Sequence, residues 1–329
     1  MSQRIRFHSA GDPVDVAQLE DYEEPQSTNA EVRLRFLAAP INPADINYLQ
    51  GVYGIKPELP ATAGFEGCAQ IESAPEDSGL TPGQLVIPIK SIPTWQEVAV
   101  CSPENVAGLP EGIDPLQAAM LSVNPMTALR LLTDFAELKT GDWILQNAAN
   151  SAVGTCVIQI AKQLGLKTAN VVRREGAKEP LVDLGADAVF VESPKLASDL
   201  KEHIGKGRAP LALNAVGGES ALALAKALSP QGTHVTYGAM ARRPLTLPNG
   251  LLIFKRIHFC GFWVTRWIDE APLETIRDDY RKLAQWVRDG LLNMPVEKTY
   301  SLSEYKIALE YAQKDQRSGK ILFKLADPL

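Results

Sequence analysis

The sequence is poor in the residues that bind transition metals. It has four cysteines and four histidines in 329 residues, and they are scattered singly along the chain. The cysteines lie in apolar segments, as reduced structural thiols do; they are Cys68, Cys101, Cys156 and Cys260. No Cys or His cluster has the spacing of a metal-ligand set. The sequence therefore predicts no metal site, and it argues against a catalytic or structural zinc.

Long hydrophobic runs and strong charge are also missing. No stretch reaches the roughly 18 apolar residues that a membrane-spanning helix needs, and the N-terminus lacks the apolar core of a secretory signal. The net charge is -6, and a mildly acidic surface argues against nucleic acid or an anionic membrane as the main partner. We therefore expect a cytoplasmic protein that acts on a small molecule.

Two patterns of secondary structure follow one another along the chain. Up to about residue 121, short strand-like pieces such as Glu31–Phe36 alternate with proline- and glycine-rich turns, which indicates a β-rich domain. Six later strands, mostly separated by helical patterns, predict a doubly wound parallel sheet and hence an α/β fold. We place the β-rich domain at residues 1–122 and 267–329, and the dinucleotide-type domain at 123–266.

The first turn of the predicted parallel sheet fits a dinucleotide phosphate. In the register of the G-x-G-x-x-G fingerprint its three positions are Ala149, Ser151 and Gly154, of which only the last is glycine. Small residues let backbone N–H groups at a helix N-terminus approach a pyrophosphate. The alternative is an ordinary helix start with Asn150 or Ser151 as its N-cap.

The end of the second predicted strand favours NADPH over NADH. Selective NAD sites usually carry Asp or Glu about 20 residues after the last fingerprint glycine. This chain has Arg173 and Arg174 there, and guanidinium groups suit a 2′-phosphate. The alternative is that Glu175 pairs with one of these arginines on a solvated face.

Ten short motifs carry a resemblance that covers essentially the whole chain. They are APINPADIN (39–47), QGVYG (50–54), PELP (57–60), VNPMTA (123–128), QNAANSAVG (146–154), NVVR (170–173), LALNAVGG (211–218), VTYG (235–238), LIFK (252–255) and GFW (261–263). In these motifs the chain resembles the 2-enoyl thioester reductases, the mitochondrial-type trans-2-enoyl-CoA reductase group of the medium-chain dehydrogenase/reductase superfamily. It departs from that group at Ala152, where glycine is usual, and at Glu175, where a basic residue is common.

The resemblance implies a fold and a reaction. It implies a GroES-like catalytic domain beside a Rossmann-type NADPH-binding domain, without zinc. The reaction is reduction of the α,β double bond of an enoyl-CoA or enoyl-acyl carrier protein in fatty acid metabolism, with hydride going to Cβ and a proton to Cα. The proton donor maps onto Tyr53. A phenol is protonated at neutral pH and can stabilise or protonate an enolate. A homodimer is expected by family likeness, and acyl carrier protein is an expected partner.

The same resemblance implies the cofactor contacts. These are Asn124, Asn150, Ser151, Ala152, Val153, Arg173, Arg174, Glu175, Tyr237, Gly238, Ala239, Met240, Phe262, Trp263, Val264 and Lys320. Glu66 also matches a superfamily glutamate, and we interpret it as structural. A zinc-free NADPH:quinone or enone oxidoreductase is the main alternative function. A non-enzymatic NADPH-binding protein on the same fold is a third, because fold does not determine function.

Overall fold

The fold was described from a computed structural model, in which residues 1–90, 92–205, 207–314 and 317–328 are described. The strands, numbered along the chain, are β1 (Ser2–Phe7), β2 (Ala17–Tyr22), β3 (Val32–Pro40), β4 (Ala61–Thr62), β5 (Cys68–Ser73), β6 (Leu85–Pro88), β7 (Val98–Cys101), β8 (Val106–Gly108), β9 (Trp143–Gln146), β10 (Lys167–Val172), β11 (Ala188–Val191), β12 (Leu211–Asn214), β13 (Thr233–Thr236), β14 (His258–Gly261), β15 (Val296–Tyr300) and β16 (Lys320–Lys324). The helices are α1 (Pro13–Val16), α2 (Pro43–Leu49), α3 (Pro115–Ala118), α4 (Asn124–Thr133), α5 (Ala152–Gln163), α6 (Lys178–Asp183), α7 (Leu196–Ile204), α8 (Gly218–Ala227), α9 (Asn249–Ile253), α10 (Val264–Glu270), α11 (Leu273–Arg288) and α12 (Tyr305–Ala312).

The chain forms two compact units. The first comprises Met1–Val123 and Ile268–Leu329, and the second comprises Asn124–Trp267. The first unit is β-rich. Its larger sheet has the order β15-β16-β3-β5-β6-β8, with β7 also paired to β3, and its smaller sheet has the order β2-β1-β4. Pairing is antiparallel except between β15 and β16, which explains why short turns suffice for most connections.

The second unit is a parallel six-stranded sheet. Its order is β11-β10-β9-β12-β13-β14, and every neighbouring pair runs in the same direction. All four residues of β9 and of β12 are buried, as expected for central parallel strands covered by helices on both faces. The strand order reverses between β9 and β12, and ligands of such sheets bind at that point beyond the carboxyl ends. The predicted α/β fold, a β-rich domain plus a Rossmann-type sheet, is confirmed.

Three short helices in the β-rich unit were not predicted. Each of α1, α2 and α3 begins with a proline at the first helical position, where the missing N–H costs nothing: Pro13, Pro43 and Pro115. The longest helix of the C-terminal part is α11, which buries Ile276, Tyr280 and Leu283 along one face. Among the described residues, no helix combines the length and the apolar character that crossing a bilayer requires.

Candidate active site

The turn after β9 ends in a half-buried helix N-terminus. Ser151 is the N-cap of α5, and its hydroxyl accepts a hydrogen bond from Gly154 N at 3.2 Å. Ser151 is therefore the cap, rather than Asn150. The amides of Ala152 and Val153 have no acceptor within the described part of the chain. Free N–H groups in the first turn of a helix favour an anion, so an N-cap at Ser151 is compatible with the predicted phosphate site.

The single glycine of the fingerprint is required by the close approach of two backbones. A Cβ built on Gly154 would lie 2.5 Å from Ala149 O and 2.7 Å from Ala149 C. No side chain fits there without moving the turn. Ala148 has a positive φ of 48°, a conformation that residues other than glycine rarely adopt. The turn is therefore tightly folded around the start of α5, as the pyrophosphate of a dinucleotide requires.

Buried amide side chains hold this turn to the neighbouring strand ends. Asn147 Nδ2 donates to Asn214 Oδ1 at 2.9 Å, and Asn147 Oδ1 accepts from Ala215 N at 2.8 Å. Gln146 Nε2 donates to Asn170 Oδ1 at 2.6 Å and to Gly154 O at 3.0 Å. We call Gln146, Asn147, Asn170 and Asn214 the amide web. It joins β9 to β10 and to β12, and so fixes the carboxyl edge of the sheet.

The two predicted phosphate-binding arginines lie at that edge. Arg173 and Arg174 follow directly after β10, and both are exposed. Neither forms an ion pair within the described residues. Glu175 instead pairs with Lys178, with Oε1 and Nζ 2.8 Å apart. The alternative in which Glu175 neutralises an arginine is therefore wrong, and both guanidinium groups are available to a phosphate.

The ends of β13 and β14 supply further predicted contacts. Tyr237 N donates to Asn214 O at 3.0 Å, and Met240 N donates to Ala215 O at 2.9 Å, so this loop folds over the end of β12. A Cβ on Gly238 would lie 3.0 Å from Ala215 O, which explains the glycine. Burial raises the pKa of Tyr237, which therefore stays protonated. Ala239 lies beside it and is exposed.

The segment after β14 is partly exposed. Phe262 N donates to Thr236 O at 3.0 Å, and its ring contacts Phe135 edge-on with centroids 5.6 Å apart. Trp263 is 39% exposed, while Val264 is buried at the start of α10. Asn124 is buried at the first position of α4, and α4 packs against α5. The second unit thus brings together most of the predicted cofactor contacts.

These features fit a dinucleotide phosphate. Within the described residues, the second unit offers amides without an acceptor at the start of α5, a turn without room for a side chain at Gly154, and two exposed guanidinium groups at the next strand end. The amides would bind the pyrophosphate, and the guanidinium groups would bind the 2′-phosphate.

Tyr53 lies in the first unit, in the loop after α2. Its amide and that of Val52 both donate to Asn47 O, at 3.2 and 2.9 Å. Its half-buried ring contacts the ring of Phe65, with centroids 5.4 Å apart. Phe65 in turn contacts Tyr48, with centroids 5.1 Å apart. The phenol is therefore held by a backbone turn on one side and an aromatic ring on the other.

Lys320 is also in the first unit, where it joins a buried polar cluster. Its ammonium donates to Asn42 Oδ1. Asn42 Nδ2 donates to Glu66 Oε1 at 2.6 Å, and Glu66 Oε2 accepts from Val123 N at 2.9 Å. Lys320 is 8% exposed and Glu66 is fully buried. The predicted cofactor contact at Lys320 thus has an internal partner, and these bonds agree with a structural Glu66.

Burial perturbs both carboxyl groups of this cluster. Removal from water raises the pKa of Asp45 to about 7, and the charge of Glu66 adds to this effect. Burial likewise raises the pKa of Glu66, while the ammonium of Lys320 acts in the opposite direction. In this cluster and in the rest of the described residues, no group of three or more His, Cys, Asp or Glu side chains is arranged so that it could hold a metal ion.

Sequence reasoning missed the amide web and Asp45. Asn and Gln inside otherwise apolar strands are a usable signal, because buried amides need several partners. Asp45 gave no such signal, since an acidic residue in the first turn of a helix is common.

Comparison with known proteins identifies the family. Residues 28–114 match the alcohol dehydrogenase GroES-like domain, and residues 152–288 match the zinc-binding dehydrogenase domain. The mitochondrial enoyl-[acyl-carrier-protein] reductase of Rattus norvegicus is 43% identical over 315 residues, which cover 94% of this chain and 84% of the relative. The chain belongs to the 2-enoyl thioester reductases of the medium-chain dehydrogenase/reductase superfamily.

Two solved structures support this assignment at the level of the fold. The enoyl thioester reductase Etr1p of Candida tropicalis, solved with NADP and crotonyl-CoA, is 30% identical with a TM-score of 0.87. The alignment covers 98% of this chain and 99% of Etr1p. A protein of Bacillus thuringiensis, described as an NADPH:quinone reductase, is 30% identical with a TM-score of 0.90 over 99% of both chains.

The expectation of a cytoplasmic protein is wrong. The rat relative and the Candida tropicalis reductase are both described as mitochondrial. The error has a physical reason. A missing secretory signal and a missing membrane span argue against secretion and membrane insertion, but they do not distinguish between two reducing aqueous compartments.

Proposed function

We propose that this chain reduces the α,β double bond of 2-enoyl thioesters with NADPH, and that Tyr53 is the proton donor. The observation that carries the proposal is the 43% identity, over nearly the whole chain, to an enoyl-[acyl-carrier-protein] reductase. The exposed arginines after β10 and the free amides at the start of α5 support NADPH as the coenzyme. An enzyme of this kind acts in fatty acid metabolism.

Different residues of this chain bind the coenzyme and donate the proton. When bound, NADPH supplies the hydride that is added to Cβ. The first turn of α5 and the two arginines hold its phosphates. Addition at Cβ leaves negative charge on the thioester oxygen and on Cα, and the hydroxyl of Tyr53 donates a hydrogen bond and then its proton to Cα. One hydride and one proton together saturate the double bond.

Tyr53→Phe tests the donor. The variant keeps the ring that packs on Phe65 and loses only the hydroxyl. With crotonyl-CoA and NADPH, we expect turnover to fall by about 100-fold, within the range for a lost acid or base, while the Kd for NADPH stays the same. Turnover close to that of the wild type would disprove the assignment.

A quinone or enone reductase is the second candidate, because the Bacillus thuringiensis protein with the same fold is described as a quinone reductase. Both candidates use NADPH and differ in the acceptor. Parallel assays with crotonyl-CoA and with a simple quinone discriminate between them. We expect kcat/KM to be higher for the thioester, and a preference for the quinone would favour the second candidate.

We also propose that acyl carrier protein is one carrier of the thioester. The name of the rat relative supports this. The test compares kcat/KM for the crotonyl group on CoA and on acyl carrier protein. A much lower value for the protein-bound substrate would restrict the activity to CoA esters.

We propose, finally, that the protein is a zinc-free homodimer. β14 is an edge strand of the parallel sheet, and an unpaired edge is a ready surface for pairing. Ile253 and Phe254, just before it, are 65% and 84% exposed. An exposed apolar patch beside an open strand edge is typical of a subunit interface. Sedimentation velocity and metal analysis of the purified protein test both statements.

A further inference from the structure

A buried carboxylate joins two segments of the first unit. Asp45, in the first turn of α2, is fully buried. One of its oxygens, Oδ2, accepts from Asn42 N at 2.8 Å, at the start of the same helix. The other, Oδ1, accepts from Phe65 N at 3.0 Å, 20 residues further along the chain. Asp45 therefore connects α2 to the Gly64–Gly67 segment.

The two connected segments are those that hold Tyr53. The C-terminal end of α2 anchors the Tyr53 backbone through the carbonyl oxygen of Asn47. The second segment provides the ring of Phe65, which lies against the ring of Tyr53. A change in the distance between α2 and Phe65 would move the two supports of the phenol relative to each other.

Both oxygens of Asp45 accept from backbone N–H donors, an arrangement that a carboxylate satisfies in full. A carboxylate is an acceptor at both oxygens, whereas an asparagine at this position would place its NH₂ group against one of the two donors. Burying a carboxylate is costly. Other ionisable groups in this cluster are Glu66, whose negative charge opposes ionisation, and Lys320, whose positive charge favours it.

We propose that Asp45 is a positioning residue for Tyr53: its two hydrogen bonds set the spacing between α2 and Phe65, and this spacing aims the phenolic hydroxyl at the substrate. The inference rests on the proposed role of Tyr53 as proton donor. It adds a second residue, outside direct contact with substrate, that determines the rate of the proton-transfer step.

The test is a double-mutant cycle with Asp45→Asn and Tyr53→Phe. Asp45→Asn alone should lower kcat for crotonyl-CoA by about 10- to 100-fold, the range for a small misplacement of a reacting group. The Kd for NADPH should change by less than about twofold, because both hydrogen bonds of Asp45 lie within the first unit. In the Tyr53→Phe background, where no hydroxyl remains to be aimed, Asp45→Asn should cause no further loss of kcat.

A merely structural Asp45 gives a different result. Its effect on kcat would then multiply with that of Tyr53→Phe, and this outcome would overturn the inference while leaving the donor assignment intact. A Tyr53→Phe variant with normal turnover would overturn both. The two failures are therefore distinguishable.

Two further variants keep the test decisive. Asp114→Asn is the control, because Asp114 is likewise a carboxylate at the start of a helix in the first unit, where it caps α3 by accepting from Leu116 N at 3.1 Å. It should leave kcat unchanged. If Asp45→Asn does not fold, Phe65→Leu removes the other support of the phenol. It should lower kcat in the wild-type background and not in the Tyr53→Phe background, and an equal loss in both backgrounds would refute the positioning role.

Discussion

The substitution Arg173→Ala should remove most of the preference for NADPH over NADH. The guanidinium is exposed after β10 and has no internal ion pair among the described residues, so Arg173→Ala breaks no bond that the fold uses. Its only expected partner is the 2′-phosphate, which NADPH has and NADH lacks. The substitution therefore isolates one interaction with one part of the coenzyme.

The expected magnitude follows from the exposure of the site. A hydrogen bond to a charged group contributes about 1.5–3 kcal/mol, and the lower end applies because solvent screens an exposed pair. About 1.4 kcal/mol corresponds to a factor of ten. We therefore expect the KM for NADPH to rise by about tenfold and the KM for NADH to change by less than about twofold.

The assay is steady-state reduction of crotonyl-CoA with each coenzyme, supported by fluorescence titration of coenzyme binding. Lys178→Ala is the control, since it removes a nearby cation whose charge is already paired with Glu175. It should affect both coenzymes little. Equal increases in KM for NADPH and NADH after Arg173→Ala would show that the arginine does not bind the 2′-phosphate.

Three other predictions concern the scaffold. Gly154→Ala should lower both thermal stability and NADPH affinity, because its Cβ would lie 2.5 Å from Ala149 O and overpacking costs about 1–3 kcal/mol; calorimetry measures the first and titration the second. Burial lowers the pKa of His234 below its usual 6.5, so the unfolded chain takes up a proton first and the free energy of unfolding should decrease as pH falls below about 6.5. In urea unfolding experiments below about pH 6.5, the free energy of unfolding of His234→Phe should depend less on pH than that of the wild type. Phe254→Glu should shift the sedimentation coefficient of the proposed dimer towards that of a monomer, because Phe254 is 84% exposed beside the edge strand.

Much of the second unit could be predicted because its central strands, β9 and β12, are short runs buried on both faces. The sequence predicts six strands in this part of the chain, and the parallel sheet has six. Such strands stand out from the sequence alone, since burial on two faces requires consecutive apolar residues. The sequence could not decide whether Asn150 or Ser151 is the N-cap of α5, because both residue types cap helices well.

The first unit was harder to predict in detail. Its sheet pairs β3 with β16, strands separated by most of the chain, and no local pattern contains that register. The link from Asp45 to Phe65 is a contact of the same non-local kind. Tyr53 was predicted from a family motif, while the elements that hold it became visible only when distant segments were placed together.

The amide web has a consequence for how the second unit responds to its surroundings. Its members, among them Asn147 and Asn214, have no ionisable group, so a change of pH leaves the charge of this network at the carboxyl edge of the sheet unchanged. The cluster around Asp45 contains ionisable groups, so its charge does change with pH. As the pH falls, we therefore expect the loop that carries Tyr53 to be disturbed at a higher pH than NADPH binding is.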